Sequence, residues 1–308
     1  MKTAAVVDVG SNSVRLLTCK YDDLGIYEKE KIVITTRLGK DIEKNKTLNT
    51  VSINDSLDAF RTFKDIIDSK GINEVYAMAT SAVRDSSNRD ELLKPARNIL
   101  GIDIEVIDGD TEAYVGYLGV LAGLDAEYNK DVMIIDIGGG STELIIGDMN
   151  DMKYKRSIDV GAVRMTGLYV DSDPIVEEDY NTLDNVVGEK VKNGYCDLSL
   201  PTEFMTIGIG GTITTLGAMD MELAEYDPDR IAGYRLDLSS LADLLKKLSR
   251  LDNEGRKNIV GLSEKRADII LAGAVILEKV LDFTGSKEVF LSDCDNLEGY
   301  LKYIVGKR

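Results

Sequence analysis

Two copies of one glycine-rich motif constrain the fold of this chain more than any other feature of its sequence. Residues 136–147 have the sequence DIGGGSTELIIG and follow the apolar run 132–135, a pattern that predicts two β-strands joined by a tight turn. Residues 8–17 match residues 136–145 position for position, with Asp, Gly, Ser and Leu in common. The repeat predicts a duplicated hairpin.

The chemistry of these turns suggests phosphate and metal binding. Glycine lacks a Cβ, so successive amide N–H groups can close around a phosphate oxygen. Asp136 and Glu143 lie at the two ends of the second turn, and a phosphate site flanked by two carboxylates suggests a divalent metal. Arg15 occupies the position in the first copy that Glu143 has in the second. If the turns face one another across a cleft, one carries a cation for phosphate and the other an acid for metal.

The composition limits the classes of protein to consider. The 308 residues suffice for two ordinary domains, and 44% hydrophobic with 30% charged residues is typical of globular proteins. A net charge of −17 argues against general binding to nucleic acid or membranes, because both are themselves negative. The start of the chain lacks a signal-peptide apolar run and no segment reaches transmembrane length, so we expect a cytoplasmic protein.

The absence of histidine narrows the possible reactions. The isolated cysteines Cys19, Cys196 and Cys294 are interpreted as small buried apolar residues rather than zinc ligands or nucleophiles. Hydrolases that depend on histidine are excluded, because the chain contains none. A general base must therefore be a carboxylate, a lysine or a tyrosine.

The spacing of apolar residues predicts the order β-β-β-α-β-α-β-α twice. The predicted domains are 1–123 and 124–292, with the polar stretch 124–131 as the best linker candidate and a last helix, 293–308, packing back on the first domain. Predicted strands are 4–9, 13–20, 27–36, 74–79, 104–107, 132–137, 142–148, 152–160, 204–208 and 288–291; predicted helices are 55–70, 89–100, 111–121, 176–192, one after 210–212, and 264–283, with a polar insert near 225–258.

This order resembles the duplicated ribonuclease-H-like (actin-like ATPase) domains of the actin, Hsp70 and sugar-kinase superfamily, an α/β fold with phosphates in an interdomain cleft. Within it, the chain resembles the short, two-domain form of the exopolyphosphatase / guanosine pentaphosphate phosphohydrolase family over nearly its whole length. The matching segments are DVGSNSVRLL at 8–17, ATSAVRDSSN at 79–88, IDGDTEAYVGYLGV at 107–120, DIGGGSTELIIG at 136–147, GIGGTITTLGAMD at 208–220 and EKRADIILAGAVIL at 264–277.

The resemblance implies roles for particular residues. Glu112 matches the catalytic glutamate, a general base for the attacking water, although a first-turn glutamate is also favoured by the helix dipole alone. Arg84 follows a predicted strand end and would neutralise phosphate charge together with Arg15, unless either is a surface ion-pair partner. Arg89 and Lys94 are weaker candidates for substrate contacts. The expected phosphate-binding residues are Gly10, Ser11, Asn12 and Ser13 in the first turn, Gly138, Gly139, Gly140 and Ser141 in the second, and Gly210, Gly211 and Thr212 at a helix start.

Mg²⁺ is the expected cofactor, because hard cations take oxygen ligands. Asp136 and Glu143 would hold it directly or through water, and Asp8 is the third candidate, with a turn-capping aspartate as the alternative. Two positions depart from the family pattern and bear on substrate preference. Ala232 stands where the family commonly has histidine, and Leu297 stands where it often has arginine before its Glu-Gly pair.

The resemblance predicts a Mg²⁺-dependent phosphohydrolase that removes the terminal phosphate of inorganic polyphosphate. Guanosine pentaphosphate is the alternative substrate, since both are linear phosphoanhydride chains. Two further hypotheses remain: an ATP-dependent kinase or actin-like ATPase, and a non-catalytic sensor of polyphosphate or alarmone. No nucleic-acid polymer or membrane partner is expected, and homodimer formation is left open.

Overall fold

The chain divides into two compact units, Met1–Ala122 with Asn296–Arg308, and Gly123–Asp295. The computed structural model describes residues 1–40, 42–124, 128 and 130–307. Residues 125–127 and 129 of the predicted linker, 124–131, therefore lie outside the described residues.

The first unit contains the N-terminal hairpin and the last helix of the chain. Its strands are β1 (Lys2–Val9), β2 (Ser13–Tyr21), β3 (Ile26–Thr35), β4 (Glu74–Ala79) and β5 (Glu105–Val106). Its helices are α1 (Ile42–Asn45), α2 (Thr50–Ser69), α3 (Ser81–Arg84), α4 (Asp90–Leu100), α5 (Gly109–Gly123) and, at the end of the chain, α13 (Asn296–Gly306).

The second unit contains the second copy of the hairpin. Its strands are β6 (Asp131–Ile137), β7 (Thr142–Gly147), β8 (Met152–Ile158), β9 (Phe204–Ile209), β10 (Arg235–Asp237) and β11 (Glu288–Leu291). Its helices are α6 (Ala162–Tyr169), α7 (Glu177–Gly194), α8 (Gly210–Asp220), α9 (Pro228–Ile231), α10 (Leu238–Arg250), α11 (Asn253–Arg256) and α12 (Ile270–Thr284), with a 3₁₀ turn at Glu264–Arg266.

The two sheets share one topology. The first has the order β3-β2-β1-β4-β5, in which β1, β2 and β3 form an antiparallel meander and β4 and β5 run parallel to β1. The second has the order β10-β11-β9-β6-β7-β8, which repeats that arrangement and adds β10 antiparallel to β11. The predicted duplicated ribonuclease-H-like α/β fold is confirmed.

Side chains alternate between the two faces of a sheet, and most of β1 is buried on both faces. Ala5, Val7 and Val9 of β1 enter the core that contains Phe60 and Phe63 of α2. Their neighbours in β1 enter a second core with α5 and α13, whose members include Ala4, Val6, Val115, Leu297, Tyr300 and Leu301. The last helix therefore packs on the sheet of the first unit. None of the described helices combines the length and the apolar content needed to cross a bilayer.

Several predicted boundaries were wrong, for identifiable reasons. Helix α2 begins five residues before the predicted start, because the side chain of Asn49 accepts a hydrogen bond from the amide of Ser52 (2.9 Å) and caps the helix there. Helix α6 was missed altogether. The predicted helix 264–283 is a 3₁₀ turn followed by α12, and the last helix begins at Asn296 rather than at residue 293.

The predicted polar insert near 225–258 contains an amphipathic helix, α10. Asp237 caps it by accepting from the amides of Ser239 (3.0 Å) and Ser240 (2.9 Å). Its apolar face follows the spacing of one side of a helix, and the buried residues are Leu241, Leu244, Leu245 and Leu248.

Candidate functional site

The two glycine turns have the same backbone geometry. In the first, the amide of Gly10 donates to the carbonyl of Ser13 at 3.0 Å; in the second, the amide of Gly138 donates to the carbonyl of Ser141, also at 3.0 Å. The flanking strands pair in the same register, so Asp8 is opposite Arg15 and Asp136 is opposite Glu143. The repeat read from the sequence is therefore a repeat of structure.

The second turn is held from one side by the start of α6. The carbonyls of Gly138 and Gly139 accept from the amides of Ala162 and Arg164, both at 3.0 Å. The carbonyl of Gly140 accepts from the side-chain Nε of Arg164 at 2.7 Å. In a trans peptide the N–H points opposite to the C=O. The three amides that follow these carbonyls therefore point away from α6, as a phosphate-binding turn requires.

The first turn is held in the same way by the segment after β3. The carbonyl of Ser11 accepts from the amide of Gly39 (2.7 Å), and that of Asn12 accepts from Thr36 (3.1 Å) and Arg37 (2.9 Å). These donors are all backbone amides. The peptide N–H groups that follow the two carbonyls again point away from the supporting segment.

Each turn carries a buried polar side chain that lacks a hydrogen-bond partner among the described residues. They are the hydroxyl of Ser141, whose residue is 1% exposed, and the amide nitrogen Nδ2 of the buried Asn12. A buried polar group without a partner costs roughly 1–3 kcal/mol. Buried polar groups are normally hydrogen-bonded, so each of these two groups is suited to pair with a bound ligand, ion or water, and both stand in predicted phosphate-binding turns.

Asp136 and Glu143 form a buried pair of carboxylates. They are 5% and 1% exposed and lie directly opposite one another on β6 and β7. Ser157 donates from Oγ to Oε1 of Glu143 at 2.6 Å, and Oδ1 of Asp136 touches the position that a Cβ of Gly210 would take. Like charges on directly opposed strand positions are destabilising. A cation at this pair would relieve that repulsion.

Two carboxylates match what Mg²⁺ usually takes from a protein, since the ion keeps several waters and often binds substrate phosphates. Among the described residues, no group of three or more acidic, cysteine or histidine side chains is arranged to hold a metal. The residues present therefore fit an ion that takes two ligands from the protein and its other ligands from water or substrate. They do not fit an ion that needs all of its ligands from the protein.

The first copy has an ion pair at the same place. Arg15 donates to Oδ2 of Asp8 from Nε (2.8 Å) and Nη2 (2.6 Å), and Asp8 is buried. The residue expected to bind metal and the residue expected to bind phosphate thus lie in contact. Phosphate or metal binding at either residue would compete with this contact.

Glu112, the predicted general base, is in contact with Arg84. Glu112, which is 6% exposed, lies in the first turn of α5, where Asp108 caps the helix by accepting from the amide of Thr111 (2.7 Å). Arg84 donates from Nη1 to Oε2 of Glu112 and to the carbonyl of Ile107, both at 3.0 Å. The contact orients the carboxylate.

A short hydrogen-bonded link joins the first turn to the arginine. The hydroxyls of Ser11 and Ser81 lie 2.9 Å apart, and Ser81 begins the short helix α3 that ends at Arg84. Lys94 and Arg89 lie apart from these contacts on the surface, and Lys94 pairs with Asp90 at 3.1 Å. Lys94 is thus a surface ion-pair partner in this structure.

The third predicted phosphate contact is the start of α8. Gly210 has a φ of +82°, which suits glycine, and Thr212 is buried. The guanidinium of Arg266 lies against Gly211, so close that a Cβ there would stand 2.6 Å from its Cζ. An arginine beside a helix N-terminus favours anion binding.

Sequence reasoning missed Arg266 and Arg164 as contributors to these turns. Arg266 belongs to the segment 264–277, which carried the resemblance but gave no reason to select one residue. Of the two departures from the family pattern, Leu297 is fully buried in the core beneath α13, and Ala232 ends the short helix α9.

Comparison with known proteins identifies the family. The model of the Ppx/GppA phosphatase family matches residues 22–307. A bifunctional 3-dehydroquinate synthase/phosphatase of Fusobacterium nucleatum is 33% identical over 96% of this chain, which spans only 45% of that relative. Exopolyphosphatase 2 of Mycobacterium tuberculosis is 26% identical over 98% of both chains.

A solved structure agrees over the same length. The exopolyphosphatase from Cytophaga hutchinsonii has a TM-score of 0.88 and 28% identity, with 99% of this chain and 98% of that chain covered. The family model begins after the first glycine turn and includes the second, whereas the structural match covers nearly the whole chain. The chain therefore belongs to the Ppx/GppA phosphatase family, a family of phosphoric anhydride hydrolases.

Proposed function

We propose that this chain is a Mg²⁺-dependent phosphohydrolase that removes the terminal phosphate of inorganic polyphosphate. The observation that carries the proposal is the second turn. Its amides point away from α6, its Ser141 hydroxyl is buried without a partner among the described residues, and two buried carboxylates flank it. The Mycobacterium relative, which matches end to end, is named an exopolyphosphatase.

Phosphate oxygens would be bound chiefly by backbone amides. The outward-pointing amides of Asn12 and Ser13 and of Gly139–Ser141 would donate to oxygens of polyphosphate, with Asn12 and Ser141 adding their side chains. The amides of Gly10 and Gly138, which were expected to join them, instead close the turns by donating to Ser13 and Ser141. The start of α8 and the Arg266 guanidinium would provide a further anion contact.

Glu112 would act as the general base. Its carboxylate would accept a proton from the water that attacks the terminal phosphorus in line with the leaving oxygen. The bond from phosphorus to the bridging oxygen breaks, and the shortened polyphosphate leaves. Arg84 holds Glu112 and would also stabilise negative charge on the transferred phosphoryl group. Mg²⁺ held by Asp136 and Glu143 would neutralise further charge on the phosphate oxygens.

The direct test is phosphate release from purified polyphosphate, with and without Mg²⁺. Release from polyphosphate that requires Mg²⁺ supports the proposal. Release from guanosine pentaphosphate alone would establish the alternative substrate instead. Binding of polyphosphate with no release of phosphate would indicate a sensor. Hydrolysis of ATP that is faster than hydrolysis of polyphosphate would indicate an actin-like ATPase.

Glu112→Gln tests the assigned base. The amide keeps the size and hydrogen-bonding capacity of the side chain but cannot accept the proton of water. A positioned general base contributes on the order of 10²- to 10⁴-fold, so we expect turnover to fall by that factor while polyphosphate affinity changes little. The matched control is Glu91→Gln, an exposed first-turn glutamate of α4. Hydrolysis by Glu112→Gln at the wild-type rate would remove Glu112 from the mechanism.

A further inference from the structure

Arg164 is a buried arginine that donates hydrogen bonds to backbone carbonyls of the second turn. Its residue is 8% exposed and lies in the first turn of α6. Its Nε donates to the carbonyl of Gly140 at 2.7 Å and its backbone amide to that of Gly139 at 3.0 Å. Asp159 lies 3.8 Å from its Nη2, on the surface. Burying an arginine is costly, which points to a specific role for these contacts.

We propose that Arg164 is a positioning residue for phosphate binding, which sets the direction of the Ser141 amide. This inference rests on the proposed function. The carbonyl of Gly140 and the amide of Ser141 belong to one planar peptide and point in opposite directions. A donor that fixes the carbonyl therefore aims the amide. The guanidinium does so with a charge-assisted hydrogen bond, which is stronger than a neutral one.

The need for such a donor follows from the glycines. Residues 138–140 are three consecutive glycines, whose backbone has more conformational freedom than that of any other residue. Backbone amides from α6 hold the first two peptides, and a side chain holds the third. The first turn differs, since the amides of residues 36, 37 and 39 hold it. A single side-chain substitution can thus loosen the second turn while the hydrogen bonds behind the first remain.

Arg164→Met tests the proposal, because methionine fills similar space but cannot donate a hydrogen bond. Misplacing a binding group by about 1 Å can reduce the rate on the order of 10²-fold, so we expect kcat/KM for polyphosphate to fall by about that factor. The affinity for tripolyphosphate, measured by calorimetry in Mg²⁺, should fall too. The pH profile of hydrolysis should keep its shape, since Glu112 is intact. Arg164→Lys should recover part of the loss, because its ammonium can still donate.

Two further measurements separate the possible outcomes. Arg235→Met is the control, since Arg235 is an exposed arginine paired with Glu288 at 3.1 Å; its kinetics should match wild type. Hydrogen exchange of the Gly138 amide, which closes the turn, should quicken at least about tenfold in Arg164→Met without any substrate present.

The inference and the proposed function can fail separately. A wild-type chain that releases no phosphate contradicts the proposed function, and Gly138 exchange then still decides whether Arg164 holds the turn. Unchanged Gly138 exchange in Arg164→Met overturns the inference. A lower melting temperature with wild-type kcat/KM and tripolyphosphate affinity would also overturn it, because Arg164 would then serve only the fold.

Discussion

The first and second glycine turns have one backbone geometry and opposite electrostatics. Both close with a hydrogen bond from the first glycine to the serine carbonyl, and both follow a buried aspartate. Across the strand pair, however, Asp8 meets Arg15 whereas Asp136 meets Glu143. The first hairpin pairs its aspartate with an arginine across the strands, whereas the second places two acids at the same cross-strand positions.

The difference shows how a duplicated element can acquire two roles. The repeat keeps the features that shape the turn, namely the first glycine, the last serine and the strand register. One cross-strand position then decides the charge. Under the proposed function, a neutral pair beside the first turn would leave its amides to attract phosphate, while the pair of acids beside the second would attract a metal that in turn attracts phosphate.

Among the substitutions that test this comparison through stability, Arg15→Met should have the largest effect. Removing one partner of a buried ion pair leaves an uncompensated charge and costs about 3 kcal/mol. Hydrogen exchange of the β1–β2 amides, followed by mass spectrometry, would report the loss in the first unit specifically. The control is Arg61→Met, since Arg61 is exposed and pairs with Asp58. Equal shifts for both variants would show that the Asp8–Arg15 pair is no more important than a surface contact.

The next largest losses of stability are expected for Gly161→Ala and Gly39→Ala. These two glycines let the segment that supports each turn approach it closely. A Cβ on Gly161 would lie 2.5 Å from backbone atoms of Gly139 and Gly140, while one on Gly39 would lie 2.8 Å from the Cβ of Ser11. Overpacking typically costs 1–3 kcal/mol, so we expect about 2 kcal/mol for Gly161→Ala and about 1 kcal/mol for Gly39→Ala. Calorimetric melting would measure both.

The control for these variants is Gly167→Ala, in α6. A Cβ there would meet nothing within 4 Å, and alanine favours a helix interior. It should therefore stabilise the protein by several tenths of a kcal/mol. If Gly161→Ala resembled Gly167→Ala, the close approach of α6 to the turn would not matter for stability.

Much of the fold was predictable because it follows local patterns. Alternating apolar runs located the strands, and the repeated motif predicted the duplication before any contact was known. The missed helix α10 also has a local signal, its leucine spacing, which the surrounding charges concealed. The early start of α2 was harder to predict, because its first turn, Thr50–Ser52, is mostly polar and only the Asn49 cap marks it.

The contacts within the candidate site could not be predicted in this way. The sequence indicated Glu112 and Arg84 separately through the resemblance, but their 3.0 Å contact depends on how α3 and α5 end up beside one another. Arg164 carries no local pattern at all, since its partner Gly140 lies 24 residues earlier. Pairings of this kind are set by tertiary packing and not by periodicity.

Glu143→Gln should change stability least, and in the absence of metal it should raise stability rather than lower it. Glutamine keeps the Oε1 acceptor for the Ser157 hydroxyl and removes one of two like charges at opposed strand positions. Without Mg²⁺, in excess chelator, the β6–β7 amides should therefore gain up to about 1 kcal/mol of protection against hydrogen exchange. With Mg²⁺ the order should reverse, because wild type gains binding free energy that the variant loses.

The control for Glu143→Gln is Glu189→Gln, an exposed glutamate of α7, which should change neither measurement. A loss of protection in chelator would mean that Asp136 and Glu143 are not a repulsive pair, and the electrostatic contrast between the two turns would fail. A gain that persists unchanged in Mg²⁺ would support repulsion between the two acids but contradict Mg²⁺ binding by the pair. Only a gain that Mg²⁺ reverses fits a hairpin whose second acid replaces an arginine in order to hold an ion.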